Sequence, residues 1–282
     1  MVALAFSVFC SVLIAFILKI NELKSGDRLV VLGANYVVAT GIGIILWYVG
    51  SPGEIALQPA VIIFAAVVGI GFVIAFFAYM KSVRTVGVSL ATLVARLSIV
   101  LPLLLSAIIY TEIPTIFQWL GIALTLLTLV LFTRSIRRDK TKEYTTEGIF
   151  YLILMFVVLG LNDFSMKIFR EWQPAGDRGL FLLVLFGMAT VFSWMLILYK
   201  KRVVRSRDVA RGVMLGIPNL FASYFLIAAL HSLPGIVVYP LVNVSIVILT
   251  AVGGLLLWKE HLNTAGWLSL GLAVVAILFL SL

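Results

Sequence analysis

Apolar residues come in long runs, at about 2–20, 28–50, 59–80, 86–110, 114–133, 148–169, 179–199, 209–230, 235–258 and 263–282, with polar and charged residues gathered in the short gaps between them. None of these runs shows the strand-length alternation of apolar and polar positions that a membrane β-barrel needs. A run near 20 residues suits a helix crossing ~30 Å of hydrocarbon. A helix also satisfies its own backbone hydrogen bonds where no water is present. The pattern therefore predicts an all-α integral membrane protein of ten transmembrane helices. The first run, MVALAFSVFCSVLIAFILK, has no basic start and no clear small-x-small cleavage site, so it reads as a retained span. Gly41, Gly43, Gly69, Gly71, Gly253 and Gly254 lie inside runs, where small residues let helices approach closely.

Composition strengthens this reading. Of 282 residues, 63% are hydrophobic and 12% charged, against roughly 45–50% and 25% in soluble domains. The net charge of +9 sits in loops, where anionic headgroups and membrane insertion favour it. No basic patch interleaves with aromatics, so nucleic acid is not an expected partner, whereas membrane lipid is. Cys10, the only cysteine, excludes an intramolecular disulfide and a cysteine-based metal site.

The chain also partly matches itself at a shift of 148 residues. Lys19 falls on Lys167, Phe77 on Phe225, Gly87 on Gly235, Glu112 on Glu260 and Trp119-Leu120 on Trp267-Leu268. A one-residue slip brings Ser98-Ile99-Val100 onto Ser245-Ile246-Val247 and Arg96 onto Asn243. The matches keep their order and pair spans 1, 4 and 5 with 6, 9 and 10. The expected organisation is a first five-helix repeat at 1–133, a basic linker at 134–147 and a second repeat at 148–282. Five is odd, so the second repeat must enter the membrane inverted, as in many secondary transporters. Seventeen of the 21 Lys and Arg lie in the loops after odd-numbered spans; Lys167, Arg170 and Arg178 lie toward the other side, and Arg96 lies in a span. Excess positive charge stays cytoplasmic. The expectation is a multi-pass protein of the plasma (inner) membrane with both termini outside the cytoplasm.

Two segments carry a family likeness: GVSLATLVARLSIVLPLLLSAIIYTEIPTIFQWLGIALTLLTLVLF and GIVVYPLVNVSIVILTAVGGLLLWKEHLNTAGWLSLGLAVVAILFLSL. Each has a small/apolar helix closed by Glu (Glu112, Glu260), a short turn and a final helix. The start of the second half, VVLGLNDFSMKIF, adds a first-helix pattern closed by Lys167. Together they resemble EamA-type transporters of the drug/metabolite transporter superfamily. That resemblance implies a secondary transporter working by alternating access, with a cavity lined by spans 1, 3, 4, 6, 8 and 9. The chain departs from the family pattern in two ways. Ile99 and Ile246 stand where the family often has Pro after the Ser, and Pro102 follows three residues later in the first half only, which displaces any kink. The loop charge also opposes the family's usual orientation, with both termini in the cytoplasm.

Arg96 is the residue that most needs a reason. It lies some ten residues into span 4, ~15 Å deep at 1.5 Å per residue. A charge at the midplane costs about 2.5–3.5 kcal/mol even on insertion scales, so it should face the bundle interior, a wet cavity or a partner. Asp163 in span 6 lies ~22 Å from the same face, within reach of an extended arginine. Two readings stay open. The pair is a structural ion pair, or Arg96 meets a carboxylate of the substrate while Asp163 balances it or carries a proton. Asn162, Asn243, Asn35, Asn219, Tyr79, Tyr224 and Tyr239 are further polar groups within spans, and all but Asn35 join Arg96 and Asp163 as candidate substrate contacts. Tyr239-Pro240 resembles a helix irregularity near a cavity, although Pro in a first turn is also plain helix geometry. Glu112 and Glu260 read as boundary residues ordering tight turns. Lys19 and Lys167 close their helices, where they can snorkel to the interface.

Span 1 holds no acidic residue, unlike the related four-helix multidrug exporters, which argues against polycation–proton exchange of their kind. There is no phosphate-binding Gly-Lys loop, metal-ligand cluster or Ser/His/Asp constellation, so no cofactor, metal or enzymatic activity is expected. The expected function is secondary transport, chiefly export, of a small organic solute. An amino-acid-like or carboxylate-bearing one suits Arg beside Asn, Asp and Tyr. Two rival classes are a non-transporting structural or receptor protein, which predicts a closed, dry Arg96–Asp163 pair, and an intramembrane enzyme on lipid-linked substrates.

Overall fold

The computed structural model describes residues 1–50, 57–135, 146–173, 177–258 and 263–282. Among these residues all regular structure is helical: α1 (Val2–Leu23), α2 (Arg28–Gly50), α3 (Pro59–Val86), α4 (Val88–Leu97), α5 (Val100–Ile109), α6 (Ile116–Ser135), α7 (Thr146–Trp172), α8 (Arg178–Tyr199), α9 (Ser206–Ser232), α10 (Gly235–Trp258) and α11 (Thr264–Leu280). Helices α4 and α5 share one apolar span, Leu90–Ile109. Eight spans are long and apolar enough to cross a bilayer, and the shorter apolar helices Ile116–Phe132 and Thr264–Leu280 bring the described segments to the ten expected. Glu260 and residues 136–145 of the expected linker lie outside the described residues.

The interruption of span 4 has a local cause. A continuous helix would have residue 102 donate to the carbonyl of Ser98, but Pro102 has no N–H. That carbonyl instead accepts from Leu101 N at 3.0 Å, a tighter turn, and Leu103 N resumes the α pattern on Ile99 O at 3.2 Å. Ser98 Oγ bonds back to Ala95 O at 2.7 Å. The other end of α4 is set by Gly87, whose φ of 94° and ψ of 160° cap the helix in a conformation essentially reserved for glycine. This one residue joins α3 to α4. By contrast, α10 runs unbroken through Pro240.

The chain forms two compact units that cut across the sequence halves: Met1–Val73 with Ile168–Ser232, and Ile74–Lys167 with Leu233–Leu282. In the first unit, α2 packs against α8 and α9, and α1 against α9. Gly212 and Gly216, one helical turn apart on α9, let α2 come close, since a Cβ on either would meet Val31 O or Asn35 O within 2.6 Å. Gly43 and Gly69 make comparably tight approaches to Leu183 and to Leu185 O, whereas Gly41 meets nothing within 4 Å. Phe169 stacks on Phe181 with centroids 4.0 Å apart, both fully buried. Polar ties lie between the same helices: Ser7 to Ala222 O, Thr40 to Thr190, and Asn219 to Asn35. At one end Arg211 bridges Asn21 and Asp208, while Asp27 caps α2 and pairs with Arg202. In the second unit, α6 packs on α11, and α10 touches α5, α6 and α11. Val244, Ala273 and Ala276 form a small-residue seam there.

Candidate functional site

Six of the eight expected contact residues lie in the second unit: Tyr79 on α3, Arg96 on α4, Asn162 and Asp163 on α7, and Tyr239 and Asn243 on α10. Arg96 occupies the last turn of α4, two residues before the interruption. The break is seated against α7 at Gly160, where a Cβ would stand 2.6 Å from Leu101 Cβ and 2.8 Å from Ser98 O. Only a glycine there lets α7 press on the interrupted segment. Asp163 follows three residues later on α7.

The guanidinium of Arg96 has Tyr79 and Asp163 as its electrostatic neighbours. No hydrogen bond or ion pair to a described residue ties it down. Arg96, Asp163, Tyr79 and Asn243 are all half-buried residues. Tyr79 Oη lies 3.5 Å from Thr92 Oγ1. Sequence pattern alone does not single out Thr92, but it stands four residues before Arg96 and therefore on the same face of α4. Tyr239 is buried, and its hydroxyl donates to the backbone carbonyl of Asp163 at 3.0 Å; among the described residues no hydrogen bond or ion pair engages the Asp163 carboxylate. Asn243 Nδ2 donates to Tyr239 O at 3.2 Å, one turn back. Asn162 is buried, and its backbone carbonyl accepts from Ser165 Oγ.

The other two are Asn219 and Tyr224. Both lie on α9 in the first unit, where Asn219 Nδ2 donates to Asn35 Oδ1 at 3.1 Å and the Arg178 guanidinium stands 4.6 Å from the Tyr224 ring centroid. Asn35 is 1% exposed, so this amide pair is a helix-to-helix tie.

One expectation needs correcting. Lys167 does not snorkel. It lies five residues short of the end of α7, is 3% exposed and pairs with Glu112 Oε1. Its ammonium also lies 5.4 Å from the Tyr110 ring centroid. An acid and an aromatic face inside the unit meet the charge, so the side chain has no need of the interface. Lys19, its counterpart in the first half, is half-buried one turn before the end of α1.

Arginine carries five fixed donors and no acceptor. Among the described residues no hydrogen bond or ion pair engages Arg96, and it presents donors suited to an anionic oxygen pair, with the Asp163 carboxylate as its electrostatic neighbour. Residues 1–134 match the model of the EamA-like transporter family. By that match the first part of the chain is similar to the EamA-like transporter family. Members of this family are membrane transporters. An uncharacterised protein of Haemophilus influenzae is 26% identical over 285 residues, covering 97% of this chain and 95% of that protein. A crystal structure of a protein superposes with a TM-score of 0.80 at 16% identity, covering 98% of this chain and 95% of the other, which shows the shared fold. The apolar helices and that match together support a multi-pass membrane protein.

Proposed function

We propose that this EamA-like chain is a secondary transporter that exports a small carboxylate-bearing, amino-acid-like solute by alternating access. The observation that carries the proposal is the guanidinium of Arg96, which no described residue holds by a hydrogen bond or ion pair, with Asp163 as its electrostatic neighbour deep in a membrane span. Leaving a charge unsatisfied inside a bilayer is costly, and a solute carboxylate making charge-assisted hydrogen bonds offsets that cost. Asp163 then faces the solute's cationic end or carries a coupling proton, while Tyr79 and Asn243 contact its polar body.

The test is uptake and efflux in proteoliposomes, screening amino acids and small carboxylates with and without a pH gradient, with Arg96→Gln beside the wild type. The expected result is transport that falls at least about tenfold in the variant, the scale of a hydrogen bond to a charged group. A folded Arg96→Gln protein that transports at the wild-type rate removes Arg96 from the site. A dependence on the pH gradient that disappears in Asp163→Asn assigns the proton to Asp163.

The orientation inferred from the loop charge places both termini outside the cytoplasm. An N-terminal epitope tag is then cleaved by protease added to intact cells; a protected tag reverses the orientation.

A further inference from the structure

Glu112 follows the end of α5, and its two carboxylate oxygens serve two different helices. Oε1 meets Lys167 Nζ on α7, and Oε2 accepts the backbone N–H of Ile236, the second residue of α10, at 3.1 Å. The carboxylate is 13% exposed and its lysine partner 3%. Gly235 leaves it room, since a Cβ there would stand 3.3 Å from Glu112 Oε2 and 2.7 Å from Ser106 Oγ. These two attachment points stand one turn from the candidate site. Asp163 precedes Lys167 by four residues on α7, and Tyr239 follows Ile236 by three on α10, with Asn243 a turn further on. Residues three or four apart share a helix face. A second tie, Tyr239 Oη to Asp163 O, joins the same two helices at the site itself.

We propose that Glu112 is a positioning residue that sets the axial register of α7 against α10, and with it the placement of Asp163 relative to Asn243. The inference rests on the site reading given under Proposed function. Slipping one helix past the other by a single residue moves its side chains about 1.5 Å along the axis, enough to alter which groups a small solute can bridge. A carboxylate with both oxygens engaged resists that slip in a way that a single hydrogen bond between Tyr239 and a backbone carbonyl does not.

The test needs no solute. Asn243→Cys is placed in a Cys10→Ser background, and the purified full chain is treated with a sulfonate-bearing and with a trimethylammonium-bearing methanethiosulfonate. The ratio of the two rates reads the electrostatic field that Arg96 and Asp163 set up at position 243. Glu112→Gln breaks the ion pair, and Glu112→Gln with Lys167→Met does so while keeping the net charge of the pair at zero. The expected result is a change in the ratio of about threefold or more in both, with Glu112→Asp falling between them and the parent. A ratio unchanged in the double variant overturns the proposal, as does an equal rise in both rates, which marks general loosening. If neither variant folds, Glu112 holds the unit together instead of tuning the site, and the proposal falls. A reactive thiol at position 243 with an unmoved ratio defeats the positioning role alone. An unreactive thiol there in the parent defeats the site reading, and the positioning role with it.

Discussion

Asp163 and Lys167 sit one turn apart on α7, and the unit treats their charges in opposite ways. Lys167 is enclosed: its ammonium meets Glu112 and the face of Tyr110, and Glu112 in turn holds the first turn of α10. Asp163 and its electrostatic neighbour Arg96 are half-buried, and no hydrogen bond or ion pair to a described residue satisfies the guanidinium. A buried charge that the protein fully satisfies belongs to the scaffold. A deep charge that it leaves unsatisfied is available to something else. The difference lies in partners, because both charges stand on the same helix within about 6 Å of axial rise.

The comparison breaks most easily at Lys167. Removing one member of a buried pair leaves the other charge uncompensated, which costs about 3–5 kcal/mol. Lys167→Met should therefore lower the thermal midpoint in detergent more than Gly160→Ala or Arg96→Gln does, as followed by the loss of a monodisperse size-exclusion peak on heating. A melting curve matching the wild type means that the Glu112–Lys167 pair is ornamental and that the two regions do not differ in kind.

Gly160 comes next, because it seats α7 on the interrupted span. Gly160→Ala places a methyl against Ser98 O and Leu101 Cβ, both under 3 Å away. Overpacking of this kind costs about 1–3 kcal/mol. The same substitution should also disturb Arg96, two residues from the break, so transport should fall further than stability alone explains. Equal losses in both would mean that the break and the site are independent.

These two positions also show what could be read from the sequence. Run lengths and gaps specify ten apolar segments, because crossing hydrocarbon demands about twenty apolar residues whatever their neighbours. Arg96 stood out on depth alone. Pro102 marked a displaced kink, and the break lies one turn before it, at the carbonyl that the proline cannot satisfy. Partnership was not legible. Lys167 and Glu112 are 55 residues apart, and a lysine near a helix end looks the same in sequence whether it snorkels or turns inward. The same holds for Asn219, whose amide is spent on Asn35 in the first unit while Asn243, equally polar and equally deep in a run, stands in the second. Depth along a helix follows from counting residues; the direction a side chain faces follows from packing that periodicity in an almost uniformly apolar run does not encode.

The smallest expected effect is the most discriminating. Arg96→Gln should shift the thermal midpoint far less than Lys167→Met, because no described residue loses a hydrogen bond or ion pair with it, even though transport falls at least about tenfold. If Arg96 and Asp163 formed a closed pair, the same substitution would strand the carboxylate and cost as much as Lys167→Met. Measuring the two melting shifts side by side in one detergent compares the two regions on a single scale. A large shift for Lys167 with a negligible one for Arg96 means that the protein reserves Arg96 for a ligand. Equal large shifts return Arg96 to the scaffold, and the carboxylate-binding role with it.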